Sequence, residues 1–223
     1  MLPGTMSTQS GLIVLAGGRS QRMGRDKAWL ELSGRPLVVH VVQAGLDAGL
    51  EVVVVGSPER ALPSLPTPVV RVDDPAERAF DGPLRGFGVG LEHCVSRGIE
   101  LVCTAACDAP WMSAAHLRFM VRQLIEYPDA AAAVPTHEEP PGGRVRLHPM
   151  CGSLRVSPAH AAVQRLLASG QRSARSLFEA LQARRVPVSS LPQPRVVQGC
   201  NTPEQWAQLL ETWPGHDAVH AVE

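Results

Sequence analysis

Short apolar runs rich in β-branched residues recur along this chain, most of them separated by an amphipathic helical pattern, and that alternation leaves few folds open. Gly11-Leu12-Ile13-Val14-Leu15 is continuous and apolar, as a strand buried on both faces must be, and Ala16-Gly17-Gly18 ends it in a turn. Runs of the same kind lie at residues 52–55, 69–72 and 101–104, with 131–134 a fifth, weaker one. Pro36 suits the first turn of a helix carrying Leu37, Val38, Val41, Val42 and Leu46. Pro83 opens a second helix that runs to Arg97, and Ser113 caps a third with Leu117, Met120, Val121 and Leu124 on its apolar face. The fold class expected is α/β: a single doubly wound, mostly parallel sheet of Rossmann-like type.

Beyond Pro135 the pattern changes. Residues 136–144 are polar and rich in Pro and Gly, with strand-like segments on either side of His148-Pro149, which predicts an antiparallel insertion at the sheet edge. Helices are expected at residues 159–167 and 173–183 and a short strand at 184–188. Thr202-Pro203-Glu204-Gln205 supplies the cap, proline and acid that open a final helix. Residues 1–10 are polar, without an apolar signal core, and are expected to be a flexible leader. Residues 11–213 then form one domain and 214–223 a tail.

Charge and cysteine usage exclude several classes. The formal net charge is zero, so no global field draws the chain to nucleic acid or acidic membranes, and no run of about 18 apolar residues is present to span a bilayer. Five cysteines at 94, 103, 107, 151 and 200 are scattered and form no C-x-x-C pair, which predicts reduced, buried thiols in a cytoplasmic protein. Of 21 Lys plus Arg, 20 are Arg, and Lys27 is the sole lysine. A compact ammonium contacts phosphate oxygens in a way that a planar guanidinium does not reproduce, so a single retained lysine marks a position of interest.

Its surroundings sharpen that reading. Leu15-Ala16-Gly17-Gly18-Arg19-Ser20-Gln21-Arg22-Met23-Gly24-Arg25-Asp26-Lys27 leaves the first strand where open α/β folds bind ligands. Three glycines let backbone N–H groups approach a triphosphate, and Arg19, Arg22, Arg25 and Lys27 supply positive charge offset only by Asp26. The segment lacks G-x-x-x-x-G-K-[ST] and G-x-G-x-x-G, which sets aside Walker-type loops and dinucleotide-binding dehydrogenases. Asp108 follows another strand, where a carboxylate either caps the turn before Pro110 or holds Mg2+ against the triphosphate. Asp74 either forms an Asx-turn before Pro75 or accepts hydrogen bonds from a ribose or a base. Gly82-Pro83 opens its helix with free N–H groups that can face an anion.

The run L-A-G-G-x-S-x-R-M-G-x-D-K at residues 15–27 resembles the signature of molybdenum cofactor guanylyltransferases. Asp73-Asp74-Pro75, then Gly82-Pro83-Leu84-Arg85-Gly86, Cys107-Asp108-Ala109-Pro110 and Asn201-Thr202-Pro203-Glu204 follow in that family's order, so the resemblance covers residues 11–211. It implies a Mg2+-dependent enzyme that transfers GMP from GTP to the molybdenum cofactor. Arg22 and Lys27 would be catalytic; Leu15, Ala16, Gly17, Gly18, Arg19, Lys27, Asp74, Gly82 and Asp108 would bind the nucleotide; Asp108 would hold the metal. The later segments bring in His148, Arg172, Arg175 and Asn201 as acceptor-side residues. The resemblance further implies a monomer with transient contacts to molybdenum-insertion proteins or recipient molybdoenzymes. A cytidylyltransferase for the same cofactor, a sugar-phosphate nucleotidyltransferase and an inactive nucleotide-binding homologue are the competing readings. Two departures stand out: Val55-Gly56-Ser57 where the family tends to carry a polar residue such as Asn, and Gly199-Cys200 where a further Asn precedes Asn201.

Overall fold

The computed structural model describes residues 9–17, 27–74, 82–139 and 143–213. Its centre is an eight-stranded sheet. The strands of the sheet are β1 (Ser10–Leu15), β4 (Glu51–Gly56), β5 (Val70–Asp73), β6 (Leu101–Ala106), β7 (Ala132–Glu138), β8 (Val145–Leu147), β9 (Ser153–Arg155) and β10 (Arg184–Pro187). A small separate hairpin is made by β2 (Glu31–Leu32) and β3 (Arg35–Pro36). Helices α1 (Leu37–Asp47), α2 (Pro83–Ser96), α3 (Ala114–Glu126), α4 (Val156–Ala168), α5 (Ala174–Ala180) and α6 (Pro203–Thr212) complete the fold. All five apolar runs are strands. Two of the expected helix caps form as the sequence implies: Ser113 Oγ accepts from the His116 N–H at 3.2 Å and Thr202 Oγ1 from the Gln205 N–H at 3.3 Å.

The sheet order is β10-β7-β9-β6-β1-β4-β5, with β8 also paired to β7. β1 pairs in parallel with β4 and β6, and β5 in parallel with β4, so their carboxyl ends lie on one edge. Because the chain leaves β1 toward β4 on one side and later returns to β6 on the other, the strand order reverses at β1, which opens a crevice at that edge. Alternation along the strands feeds two cores. Leu12, Val14, Val52, Val54, Cys103 and Ala105 face the layer of α1 and α3, while Ile13, Val53, Val55 and Val102 face α2, α4 and α5. Gly90 lets α2 lie directly on the sheet, since a Cβ there would stand 2.8 Å from Ile13 Cγ2. A third cluster, Leu30, Leu32, Leu37, Cys200 and Leu209, ties α6 to the hairpin.

The antiparallel element is present. β8 pairs with β7, and β9 pairs antiparallel with β6 on one side and β7 on the other. Its polar groups are satisfied internally. Ser153 Oγ donates to the Met120 carbonyl at 2.8 Å, and Arg155 donates to the carbonyls of Ala130 and Leu124 at 3.0 and 2.7 Å, satisfying the end of α3. Thr104, fully buried on β6, accepts from the Gly152 N–H at 3.1 Å and donates to the Pro149 carbonyl at 2.6 Å, fixing the bend between β8 and β9. The five cysteines are buried free thiols, as expected. Among the described residues no helix is long and apolar enough to cross a membrane. The leader and tail lie outside the described residues, apart from residues 9 and 10.

Candidate active site

Four parallel strand ends deliver Leu15, Val55, Asp74 and Asp108 to one edge of the sheet. Backbone bonds hold these ends in register past the strands themselves. The Ala16 N–H donates to the Val55 carbonyl at 2.8 Å, the Cys107 N–H to the Leu15 carbonyl at 3.0 Å and the Asp74 N–H to the Gly56 carbonyl at 3.1 Å. A cavity of about 410 Å³ opens there, walled by backbone at Ala16, Gly17, Gly56 and Gly82, with Lys27, Asp74 and Asp108 as its charged groups. Such a volume lies in the range of small-molecule sites. Gly82 precedes α2 with φ +91°, and a Cβ would stand 2.6 Å from the Arg172 carbonyl oxygen, so only glycine permits this entry to the helix.

Lys27 begins a single 3₁₀ turn, Lys27–Trp29, that is anchored by the fully buried Ala28. From that base its ammonium reaches Asp108 Oδ2 at 2.7 Å and Asn201 Oδ1 at 2.7 Å. The Lys27 and Asp108 side chains are only 14% and 16% exposed, so the pair sits in the mouth of the cavity and not on open surface. The Cys200 N–H donates to the Asp108 carbonyl at 3.1 Å and brings Asn201 to the same point. A second ion pair flanks the cavity: Arg85 Nε lies 2.7 Å from Asp74 Oδ1, and both side chains are largely buried.

These groups can neutralise and align anions. Burial pushes the Cys103 and Cys151 thiols up to about 12 and the Cys200 thiol to about 11, so these three are not thiolates at neutral pH. For a metal, Asp108 with the neighbouring Asn201 oxygen fits Mg2+, which is commonly held by one or two carboxylates together with substrate phosphates. Among the described residues no cluster of three or more His, Cys, Asp or Glu could hold a metal unaided.

Leu15, Ala16, Gly17, Lys27, Asp74, Gly82 and Asp108 therefore line one cavity. Gly18, Arg19 and Arg22 lie outside the described residues. Of the four residues assigned to the acceptor, His148 and Asn201 line a common second cavity, and Arg172 and Arg175 lie elsewhere. Asn201 stands at the Lys27 centre, and His148 lies beside His137, their facing ring nitrogens 2.7 Å apart. Arg172 abuts Gly82 through its backbone, beside the cavity, with its carbonyl accepting from Leu84 at 3.2 Å. Arg175 is spent on an exposed i,i+4 pair with Glu179 at 2.7 Å. Sequence reasoning missed Arg85, which occupies the variable position of Gly82-Pro83-Leu84-Arg85-Gly86 and so carried no signal. It also missed His137, although a signal existed: in the β7–β8 pairing His137 opposes Arg146, which makes His148 its diagonal neighbour.

The MobA-like NTP transferase domain matches residues 12–186. A protein of Nostoc sp. bearing the name "Probable molybdenum cofactor guanylyltransferase" is 34% identical over 198 residues, covering 88% of each chain. A Mycobacterium tuberculosis protein of the same name is 33% identical over 176 residues, covering 78% of this chain and 81% of its own. Among solved structures, molybdopterin-guanine dinucleotide biosynthesis protein A from Archaeoglobus fulgidus superposes with a TM-score of 0.69 at 20% identity, over 90% of this chain and 97% of that one. The 2-C-methyl-D-erythritol 4-phosphate cytidylyltransferase of Thermus thermophilus shares the fold with a TM-score of 0.60 at 19% identity, over 90% and 97% of the two chains.

Proposed function

The chain belongs to the MobA-like NTP transferase family, and we propose that its reaction is transfer of GMP from GTP to the terminal phosphate of molybdopterin, yielding the guanine dinucleotide form of the molybdenum cofactor and pyrophosphate. The observation that carries this reading is the meeting of Lys27, Asp108 and Asn201 at the mouth of a glycine-walled cavity at the strand reversal.

The acceptor is a phosphate monoester, ionised near neutral pH, so no side chain has to remove a proton. Its oxygen attacks the α-phosphorus of GTP; the new P–O bond forms as the α–β bridging P–O bond breaks, and pyrophosphate carries away the electron pair. The protein's work is alignment and charge neutralisation. Leu15, Ala16 and Gly17 line the nucleotide phosphates with backbone, Gly18, Arg19 and Arg22 are assigned to the same phosphates by their sequence, and Lys27 neutralises the oxygens of the transferred and departing phosphates. Asp74 and Gly82 hold the nucleoside end. Asp108 would hold Mg2+, which when bound neutralises the triphosphate and polarises the α-phosphoryl group. The five buried free thiols support a cytoplasmic setting. We also read the protein as a monomer that meets molybdenum-insertion proteins or recipient molybdoenzymes transiently.

The test is pyrophosphate release with molybdopterin and Mg2+, comparing GTP, CTP, ATP and UTP at equal concentration. Selective release with GTP is expected. Release with CTP instead would reassign the chain to cytidylyl transfer, and binding of GTP without any release would make it a non-catalytic nucleotide binder.

A further inference from the structure

Asn201 belongs to two cavities. It bonds Lys27 at the mouth of the first, and it also lines a second of about 610 Å³ together with Trp111, His137, Arg146, His148 and Arg195. Among the described residues the charged lining of this second space is entirely basic: Arg146 and Arg195 face it, and no Asp or Glu does. Arg195 is further held 5.0 Å from the Trp111 ring centroid. A cavity lined this way repels cations and favours an anion.

Its centre of interest is the histidine pair. His137 Nδ1 and His148 Nε2 stand 2.7 Å apart, with the rings 4.9 Å between centroids and inclined by 26°. Two neutral imidazoles in contact share one proton, which leaves one outward nitrogen as a donor and the other as an acceptor. One further proton turns both outward nitrogens into donors and gives the pair a positive charge. The groups facing the pair oppose that proton: Arg146 on the neighbouring strand, Arg195 across the cavity, and burial itself, which with His137 and Arg146 holds His148 down at about 4. The carboxylate of the transfer centre, Asp108, lines the other cavity and is paired with Lys27. An incoming dianion reverses the sign of the local field, and the opposition becomes attraction.

We propose that the second cavity receives the anionic part of the acceptor, and that the His137–His148 pair takes up one solvent proton as that anion binds, becoming a two-donor cationic clamp. This rests on the transferase reading above and adds to it a site, a residue pair and a proton count.

Isothermal titration calorimetry of the full chain, saturated with an α,β-methylene analogue of GTP, tests the proposal with molybdopterin as the probe. Titrations at pH 7.5 in two buffers of different ionisation enthalpy read the protons taken up, and repeats up to pH 8.5 read the affinity. In that window the acceptor's phosphate is already dianionic, so it contributes no proton of its own. Net proton uptake is expected, largest at the low end of the window, with affinity falling as pH rises. In His137→Asn and His148→Asn the uptake and the slope should vanish while GTP-analogue binding is retained. The histidine Cε1–H resonances of the unmodified protein give a second readout and should move to imidazolium positions on binding. Acceptor binding without proton uptake, in a chain that still releases pyrophosphate, would overturn this inference and leave the transferase standing. Failure of the acceptor to bind at all would overturn both.

Discussion

Lys27 Nζ lies 2.7 Å from Asp108 Oδ2, so the sole lysine of the chain and the carboxylate fitted for a metal are counter-ions to one another across 81 positions of sequence. On the proposed function a triphosphate entering the cavity would compete for the ammonium and so free the carboxylate for a cation, exchanging the two roles together.

From that relationship, Lys27→Ala and Asp108→Ala should each lower kcat/KM by at least ~10²-fold, the scale of a lost electrostatic stabiliser. Lys27→Arg should restore little, because a guanidinium spreads its charge over a plane that the site between Asp108 and Asn201 is not shaped to take. Steady-state kinetics with circular dichroism as a folding control checks this. Near-normal turnover in a folded Lys27→Ala protein would remove lysine from the mechanism.

Arg85 should act on substrate binding and not on the chemical step. Its Nε donates to Asp74 Oδ1 at 2.7 Å in a largely buried pair at the nucleoside end of the cavity, so Arg85→Ala leaves the Asp74 carboxylate less firmly held. The expected outcome is a rise of about tenfold in KM for GTP with kcat nearly unchanged, the pattern of lost uniform binding. Equal KM values for the two proteins would show that Asp74 needs no such support.

His116 makes stability depend on pH. It is fully buried, its Nε2–H donates to the Cys151 carbonyl at 2.9 Å, and its Nδ1 is buried without a partner among the described residues. Burial lowers its pKa from 6.5 to about 4, so between those values the unfolded chain binds a proton that the native protein refuses. The contribution is complete above pH 6.5 and is lost as pH falls toward 4. For this residue alone the loss from pH 7 to pH 5 is about 2 kcal/mol. Urea midpoints across that range should fall more steeply for the native sequence than for His116→Gln.

The parallel half of the sheet and the gathering of Leu15, Gly17, Lys27 and Asp108 at one cavity were readable because their signals are local. Continuous apolar runs such as residues 11–15, glycines at a strand end and the one lysine each stand in a short stretch of sequence. What escaped depends on distant partners. Ser153 and Arg155 look like edge residues until the carbonyls at the end of α3 that satisfy them are known. His148 and Asn201 meet in one cavity only because the fold also brings His137 beside the first and Lys27 beside the second. Arg175 forms an ion pair with Glu179 one helical turn away.

The reach from Lys27 to Asn201 spans 174 positions, so this contact cannot close until nearly the whole chain has been made. During synthesis every strand of the sheet has emerged by Pro187, while the amide that completes the centre, and α6 that seats it, are still to follow. A nascent chain can thus build its architecture before it can work, and docking of the last helix on the β2–β3 hairpin marks the change from folded scaffold to competent enzyme. The appearance of turnover is accordingly a clock for the final step of assembly.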